Sequence, residues 1–171
     1  MKGYVQVYTG DGKGKTTASL GLCVRAIGAD KRVLIVQFLK KGDFSEIKGL
    51  GYFGSMVKVK QFGTGHFVRG KPSRADIEIA EAGLEYVKTQ MMSGSFHVII
   101  LDEINIAMDM GLLKVSDVLE FLSSRPDDVE VVLTGRYAPK EIVDVADLVT
   151  ECRMIKHYFT KGVKAREGIE K

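Results

Sequence analysis

The sequence predicts a three-layer α/β fold, a mostly parallel central sheet with helices on both faces. Three observations carry that expectation. Strand-like apolar runs alternate along the whole chain with segments of helical periodicity. Two of the runs, 32–38 and 97–101, are almost continuously apolar, as in strands covered on both sides. The chain has 171 residues, 45% hydrophobic and 27% charged, enough for one large core and too few for two. Residues 1–171 therefore read as a single domain, with ligands expected beyond the carboxyl ends of the strands.

The elements follow in order. Residues 4–9 form a first strand. A helix over 16–27 places Ala18, Leu22 and Ala26 on one face, and Gly28 stops it. Residues 32–38 form the second strand. The stretch 40–54, rich in glycine and charge, reads as loop. A third strand spans 57–62, and a loop over 62–73 holds Gly63, Gly65, Gly70 and Pro72. Ser73 and Asp76 have the spacing of a capping box, and Ile77, Ala80, Leu84, Val87 and Met91 mark the buried face of the helix they start. Residues 97–101 form a strand ending in Asp102 and Glu103. Val115, Val118, Leu119 and Leu122 mark another helix, which stops before Pro126. A strand over 129–133, a helix over 139–145 opened by Pro139 and a last strand over 148–155 complete the pattern.

Composition narrows the function classes. No apolar stretch approaches the ~20 residues of a membrane helix, and the opening residues have no secretory h-region or cleavage site. The two cysteines, Cys23 and Cys152, lie far apart, as for thiols of a reducing, cytoplasmic compartment. With three isolated histidines, they make no structural zinc site. Net charge is +3, and the surplus sits at the end. Residues 153–171 carry six basic and two acidic side chains, against 19 and 20 in the rest. That asymmetry fits either an anionic ligand near the C-terminus or a solvated tail. It is not the basic stripe of a nucleic-acid binder.

The sharpest motif is Thr9-Gly10-Asp11-Gly12-Lys13-Gly14-Lys15-Thr16-Thr17, between a strand and a helix. This is the setting of a phosphate loop. Its glycines allow backbone amides to turn inward around phosphate oxygens, and the helix adds its positive dipole end. Lys15 offers a mobile charge for the terminal phosphates, and Thr16 a hydroxyl for Mg²⁺. The spacing is a variant, because the position of the usual first glycine is Thr9. Val98-Ile99-Ile100-Leu101-Asp102-Glu103 has the form of the metal-binding partner strand. Neighbouring strand residues point to opposite faces, so Asp102 and Glu103 should differ in role unless the strand ends between them. Arg136, in Thr134-Gly135-Arg136 after a strand, is placed either to clamp phosphate oxygens or as an ordinary surface residue.

The loop resembles that of the phosphate-loop-type corrinoid adenosyltransferases. The same resemblance runs through Val36-Gln37-Phe38-Leu39-Lys40, Leu101-Asp102-Glu103, Arg125-Pro126, residues 132–136 and Ala146-Asp147. It continues at the end of the chain, through residues 156–159, 162–165 and Gly168-Ile169. It implies a RecA-like phosphate-loop NTPase fold, ATP as co-substrate, Mg²⁺, a corrinoid substrate, a homodimer and a separate flavoprotein reductant. The implied reaction moves the 5′-deoxyadenosyl group of ATP onto Co(I) of a reduced corrinoid and releases triphosphate. Lys15, Arg136, the loop amides and Mg²⁺ would stabilise the departing triphosphate, with Thr16, Asp102 and Glu103 toward the metal. The basic tail could face the corrinoid or the triphosphate.

The sequence departs from enteric members in two places. It starts without the N-terminal extension that covers the corrinoid in those members. Where they carry Phe-x-Trp, it reads Gly65-His66-Phe67-Val68, with no tryptophan anywhere. Phe67, together with Phe62, is the candidate for shielding the lower corrinoid face; ordinary packing under a loop is the other reading of Phe67. Three rival functions are compatible with the sequence. They are a nucleoside kinase of RecA-like fold, which would release ADP, a corrinoid or ATP carrier without turnover, and a nucleic-acid motor.

Overall fold

The computed structural model describes residues 2–66, 68 and 70–170. Six strands form one sheet: β1 (Val5–Thr9), β2 (Val33–Phe38), β3 (Val57–Phe62), β4 (Val98–Asp102), β5 (Glu130–Thr134) and β6 (Leu148–Glu151). Their order is β3-β2-β4-β5-β1-β6, and every neighbouring pair is parallel. The helices are α1 (Lys15–Ile27), α2 (Ser45–Gly51), α3 (Arg74–Met92), α4 (Ile104–Asp109), α5 (Val115–Ser123) and α6 (Lys140–Val145).

Alternation along the strands builds the three layers. Leu34, Val36 and Phe38 of β2, with Ile99 and Leu101 of β4 and Val131 and Leu133 of β5, face a core that holds buried residues of α3, α4, α5 and α6. Val33, Ile35, Val98, Ile100 and Val132 face a second core with Cys23 and Ala26 of α1 and Leu50 of α2. The three central strands β2, β4 and β5 are buried at every position, as their unbroken apolar runs require.

Most expected elements are present within a residue or two. The Ser73–Asp76 capping box forms at the start of α3, with both reciprocal hydrogen bonds in place. Two helices escape the sequence pattern. Residues 40–54, expected as loop, contain α2, whose two glycines weaken helical periodicity and which buries only Leu50. The six-residue α4 is too short to show a period. The last strand ends at Glu151, because residues beyond it turn toward the phosphate loop.

The strand order sets the position of the site. The chain leaves β1 through α1 to β2, three strands across the sheet, and returns later to β5 between β4 and β1. The carboxyl ends of β1, β5, β4 and β2 thus lie side by side, presenting the Thr9, Thr134, Asp102 and Phe38 ends along one edge.

Candidate active site

The loop after β1 carries two left-handed glycines, Gly10 at φ +98° and Gly14 at φ +120°. Gly14 is the N-cap of α1, with no side-chain cap, so the first amides of the helix point outward without a side-chain acceptor at that cap. Gly10 and Gly12 are required by close approach as well. A Cβ at Gly10 would lie 2.5 Å from the Cys152 carbonyl oxygen, and one at Gly12 would lie 2.7 Å from backbone atoms of Cys152 and Arg153.

The C-terminal tail therefore packs directly on the loop. The Gly12 amide donates to Cys152 O at 2.6 Å, and the Cys152 amide donates to Thr9 O at 2.8 Å. Asp11 Oδ1 accepts from the Met154 amide at 3.0 Å, which together with nearby cationic charge holds its carboxyl below the usual range. Lys13 Nζ donates to Ile169 O at 3.0 Å and pairs with Glu170 at 3.1 Å. The loop sequence thus divides in two: Asp11 and Lys13 fasten the tail, whereas Lys15, Thr16 and the flanking amides face the strand edge. The exposed Thr17 lies one residue further into α1.

Lys15 is buried, and its Nζ reaches back to donate to Gly10 O and Gly12 O, both at 2.7 Å. Burial lowers its pKa against the attraction of Glu103. Thr16 Oγ1 donates to Asp102 Oδ1 at 2.8 Å, joining the loop to the end of β4. Thr134 Oγ1 donates to the same oxygen at 2.8 Å and accepts the Glu103 amide at 3.1 Å. Asp102 is 1% exposed.

The strand does end between Asp102 and Glu103, since Glu103 adopts φ +63° and caps α4. The two acids consequently differ. Asp102 is enclosed by donors; Glu103 is partly exposed. Burial and the neighbouring Asp102 raise the Glu103 carboxyl pKa, while Lys40, Lys15 and Arg136 pull it down. Arg136 follows the left-handed Gly135 (φ +133°) and stands exposed, with its charge acting on Asp11, Lys15 and Glu103. A Cβ on Gly135 would meet Asn105 at 3.1 Å, so α4 fixes the turn that presents Arg136.

Several contributors had no assigned role in the sequence. Lys40 pairs with Asp102 Oδ2 at 2.8 Å, and Gln37 Nε2 donates to that oxygen at 3.2 Å. Asn105 is fully buried and donates to Gly135 O at 3.3 Å. The available signal was Gln37, a polar residue inside an otherwise apolar buried strand, with Lys40 just past its end. Of the two phenylalanines expected at the corrinoid, Phe67 lies outside the described residues. Phe62 instead packs on the α3 core, its ring 5.5 Å from that of Tyr86 and against Gly83. Phe62 lies at the end of the edge strand β3, and it is partly buried against the core that α3 covers.

The donor set suits Mg²⁺. Thr16 and Glu103 are hard oxygen donors beside a buried carboxylate, and Mg²⁺ is commonly held by one or two carboxylates with substrate phosphates completing its shell. Among the described residues no group of three or more His, Cys, Asp or Glu could hold a metal ion.

Comparison with known proteins shows the family. The family model described as ATP:corrinoid adenosyltransferase BtuR/CobO/CobP matches residues 1–170. A corrinoid adenosyltransferase of Sinorhizobium sp is 37% identical over 172 residues, covering 99% of this chain and 80% of that protein. Corrinoid adenosyltransferase CobA of Salmonella typhimurium is 34% identical over 173 residues, covering 99% and 86%. A Pseudomonas aeruginosa corrinoid adenosyltransferase is 34% identical over 170 residues, covering 99% and 84%. A match that runs from the first strand through the tail clasped on the phosphate loop makes this chain a member of the ATP:corrinoid adenosyltransferase family.

Proposed function

We propose that this chain transfers the 5′-deoxyadenosyl group of ATP to the Co(I) centre of a reduced corrinoid and releases inorganic triphosphate. The observation that carries the site assignment is the convergence of Lys15, Thr16, Asp102, Glu103 and Arg136 on one edge of the sheet, linked by the 2.8 Å Thr16–Asp102 bond. In the reaction the cobalt lone pair forms a bond to C5′. The C5′–O bond breaks, and its electron pair leaves with the triphosphate. Co(I) is itself a strong nucleophile, so the protein needs no general base. Its tasks are to orient the reactants and to stabilise charge growing on the leaving group.

The roles follow from position. The amides at the start of α1 and the Gly14 turn cradle phosphate oxygens. Lys15 leaves the Gly10 and Gly12 carbonyls for the phosphates. Arg136 approaches them from the β5 side. Mg²⁺, held by Thr16 and Glu103, would add positive charge to the triphosphate. Asp102 orients the Thr16 hydroxyl. The basic tail, fastened to the loop by Asp11 and Lys13, closes the same edge.

The family reading extends to a homodimer and to a separate flavoprotein that reduces the corrinoid. The exposed edge strand β6, with Leu148 and Val149 about half exposed, offers a surface for self-association. We read the chain as one nucleotide-binding domain acting in the cytoplasm; no helix among the described residues is long and apolar enough to cross a membrane.

Phosphorus NMR of the nucleotide products tests the reading. With ATP, Mg²⁺ and chemically reduced corrinoid, inorganic triphosphate should accumulate one for one with adenosylated corrinoid. Accumulation of ADP would indicate phosphoryl transfer and overturn it.

A further inference from the structure

Asp102 lies where a phosphate-loop protein holds its metal, yet all its acceptor directions are engaged by protein donors. Oδ1 receives the hydroxyls of Thr16 and Thr134, each at 2.8 Å. Oδ2 receives Lys40 Nζ at 2.8 Å and Gln37 Nε2 at 3.2 Å. A carboxylate has about four lone-pair sites, and four bonds fill them. One of the four partners is a full positive charge.

Lys40 is held there by construction. Leu39 has φ +61°, a left-handed conformation uncommon for a non-glycine residue. That bend folds the chain back at the end of β2, bringing Lys40 over the end of β4. Two neighbours lock it. The Leu39 amide donates to Phe62 O at 3.0 Å. Gly63 approaches so closely that a Cβ there would lie 2.6 Å from Leu39 C and 2.7 Å from Lys40 N. Around the ammonium stand Glu46 of α2 at 3.7 Å and the Phe44 ring, 5.6 Å to its centroid. Left-handed non-glycine residues cluster at functional sites, and this one is held in place by a neighbouring strand.

We propose that Lys40 is a positioning residue that makes metal binding depend on the nucleotide. Its ammonium neutralises Asp102 and occupies the side of the carboxylate a divalent cation would need. The protein's own oxygens are then too few and too well compensated to bind the metal alone. A divalent cation would bind only together with the polyphosphate, whose oxygens would supply the missing ligands and whose charge would offset that of Lys40. Asp102 acts on the metal only through the Thr16 hydroxyl. This rests on the phosphate-loop reading of the site, but its test requires neither corrinoid nor turnover.

The experiment titrates Mn²⁺ into the full chain and follows free Mn²⁺ by electron paramagnetic resonance, with and without ATP. Without ATP, Lys40→Met should bind Mn²⁺ at least about tenfold more tightly than the parent. Lys40→Arg, which keeps the charge, should stay as weak as the parent. Adding Asp102→Asn to Lys40→Met should erase the gain. Lys40→Gln, which can still donate to Asp102 without a charge, should behave like Lys40→Met and replaces it if that variant does not fold. Parent-like Mn²⁺ binding by the folded charge-removed variant would overturn the proposal. So would tight Mn²⁺ binding by the parent chain without ATP. If instead ATP failed to bring Mn²⁺ to the parent at all, the phosphate-loop reading itself would fail.

Discussion

At the level of single residues, Lys15 and Thr134 make the most distinct predictions. On the proposed reading, Lys15→Ala removes the charge that would stabilise the leaving group, and it removes no apolar core volume. Losing one such stabilising donor costs about 3 kcal/mol in the transition state, on the order of a hundredfold in rate. Turnover should fall by at least that much while circular dichroism stays unchanged; near-normal adenosylation by the variant would refute the role. Thr134→Val is the structural counterpart. It leaves the Glu103 amide without its acceptor and Asp102 Oδ1 without one of its donors. Stranding a buried polar group costs about 1–3 kcal/mol, so urea unfolding should show a lower midpoint at an unchanged slope. Lys15, Thr16, Asp102 and Glu103 were legible as candidates because phosphate chemistry constrains their spacing. Lys40 and Asn105 were not legible as members of the site, beyond the hint of a polar Gln37 inside an apolar strand. Their positions depend on the left-handed turn at Leu39 and on the approach of Gly135 to α4, which are tertiary facts.

Among the elements, the phosphate loop and the C-terminal tail behave as a coupled pair. Gly12→Ala would press a methyl group into the Cys152–Arg153 backbone, which cannot yield as a flexible side chain would. That variant should lose ATP affinity through displacement of the loop, measured by calorimetric titration; unchanged affinity would mean the loop does not rest on the tail. The clasp also has a pH signature. Glu170 is held well below its ordinary carboxyl pKa, first by Arg166, then by Tyr158 and Lys13. A depressed native pKa contributes stability that is present above the unfolded value of 4.5 and is lost as the pH falls through the native one. Amide protection factors over residues 158–170, with the pH-dependent intrinsic exchange rate divided out, should therefore fall as acid is added below about pH 4.5. In Glu170→Gln they should already be low at neutral pH. The strands and long helices were legible because their apolar periods are long. The helix α2 was not, since glycines at 49 and 51 hide its period and its one buried residue is Leu50.

For the molecule as a whole, the parallel sheet accounts for where everything lies. Burying both faces of β2, β4 and β5 confines polar work to the strand ends and loops, and the strand order brings four carboxyl ends together on one edge. The backbone of Cys152 and Met154 is bonded to the loop, which fixes where the tail begins, while its basic residues Arg153, Lys156, Lys161 and Lys164 stay exposed to solvent. The shielding of the corrinoid's lower face was read onto Phe67 and Phe62, and the second of these is committed to the α3 core. Side chains on an edge strand cannot be assigned to core or ligand until the covering helix is known.

If the phosphate-binding edge presents C5′ of ATP to reduced cobalt, the change will be visible in the spectrum of a reduced corrinoid mixed with this chain, ATP and Mg²⁺. A light-sensitive alkylcobalt spectrum should grow, be bleached by illumination and be absent with Lys15→Ala. An unchanged corrinoid spectrum with well-folded, ATP-bound protein would contradict that presentation of C5′.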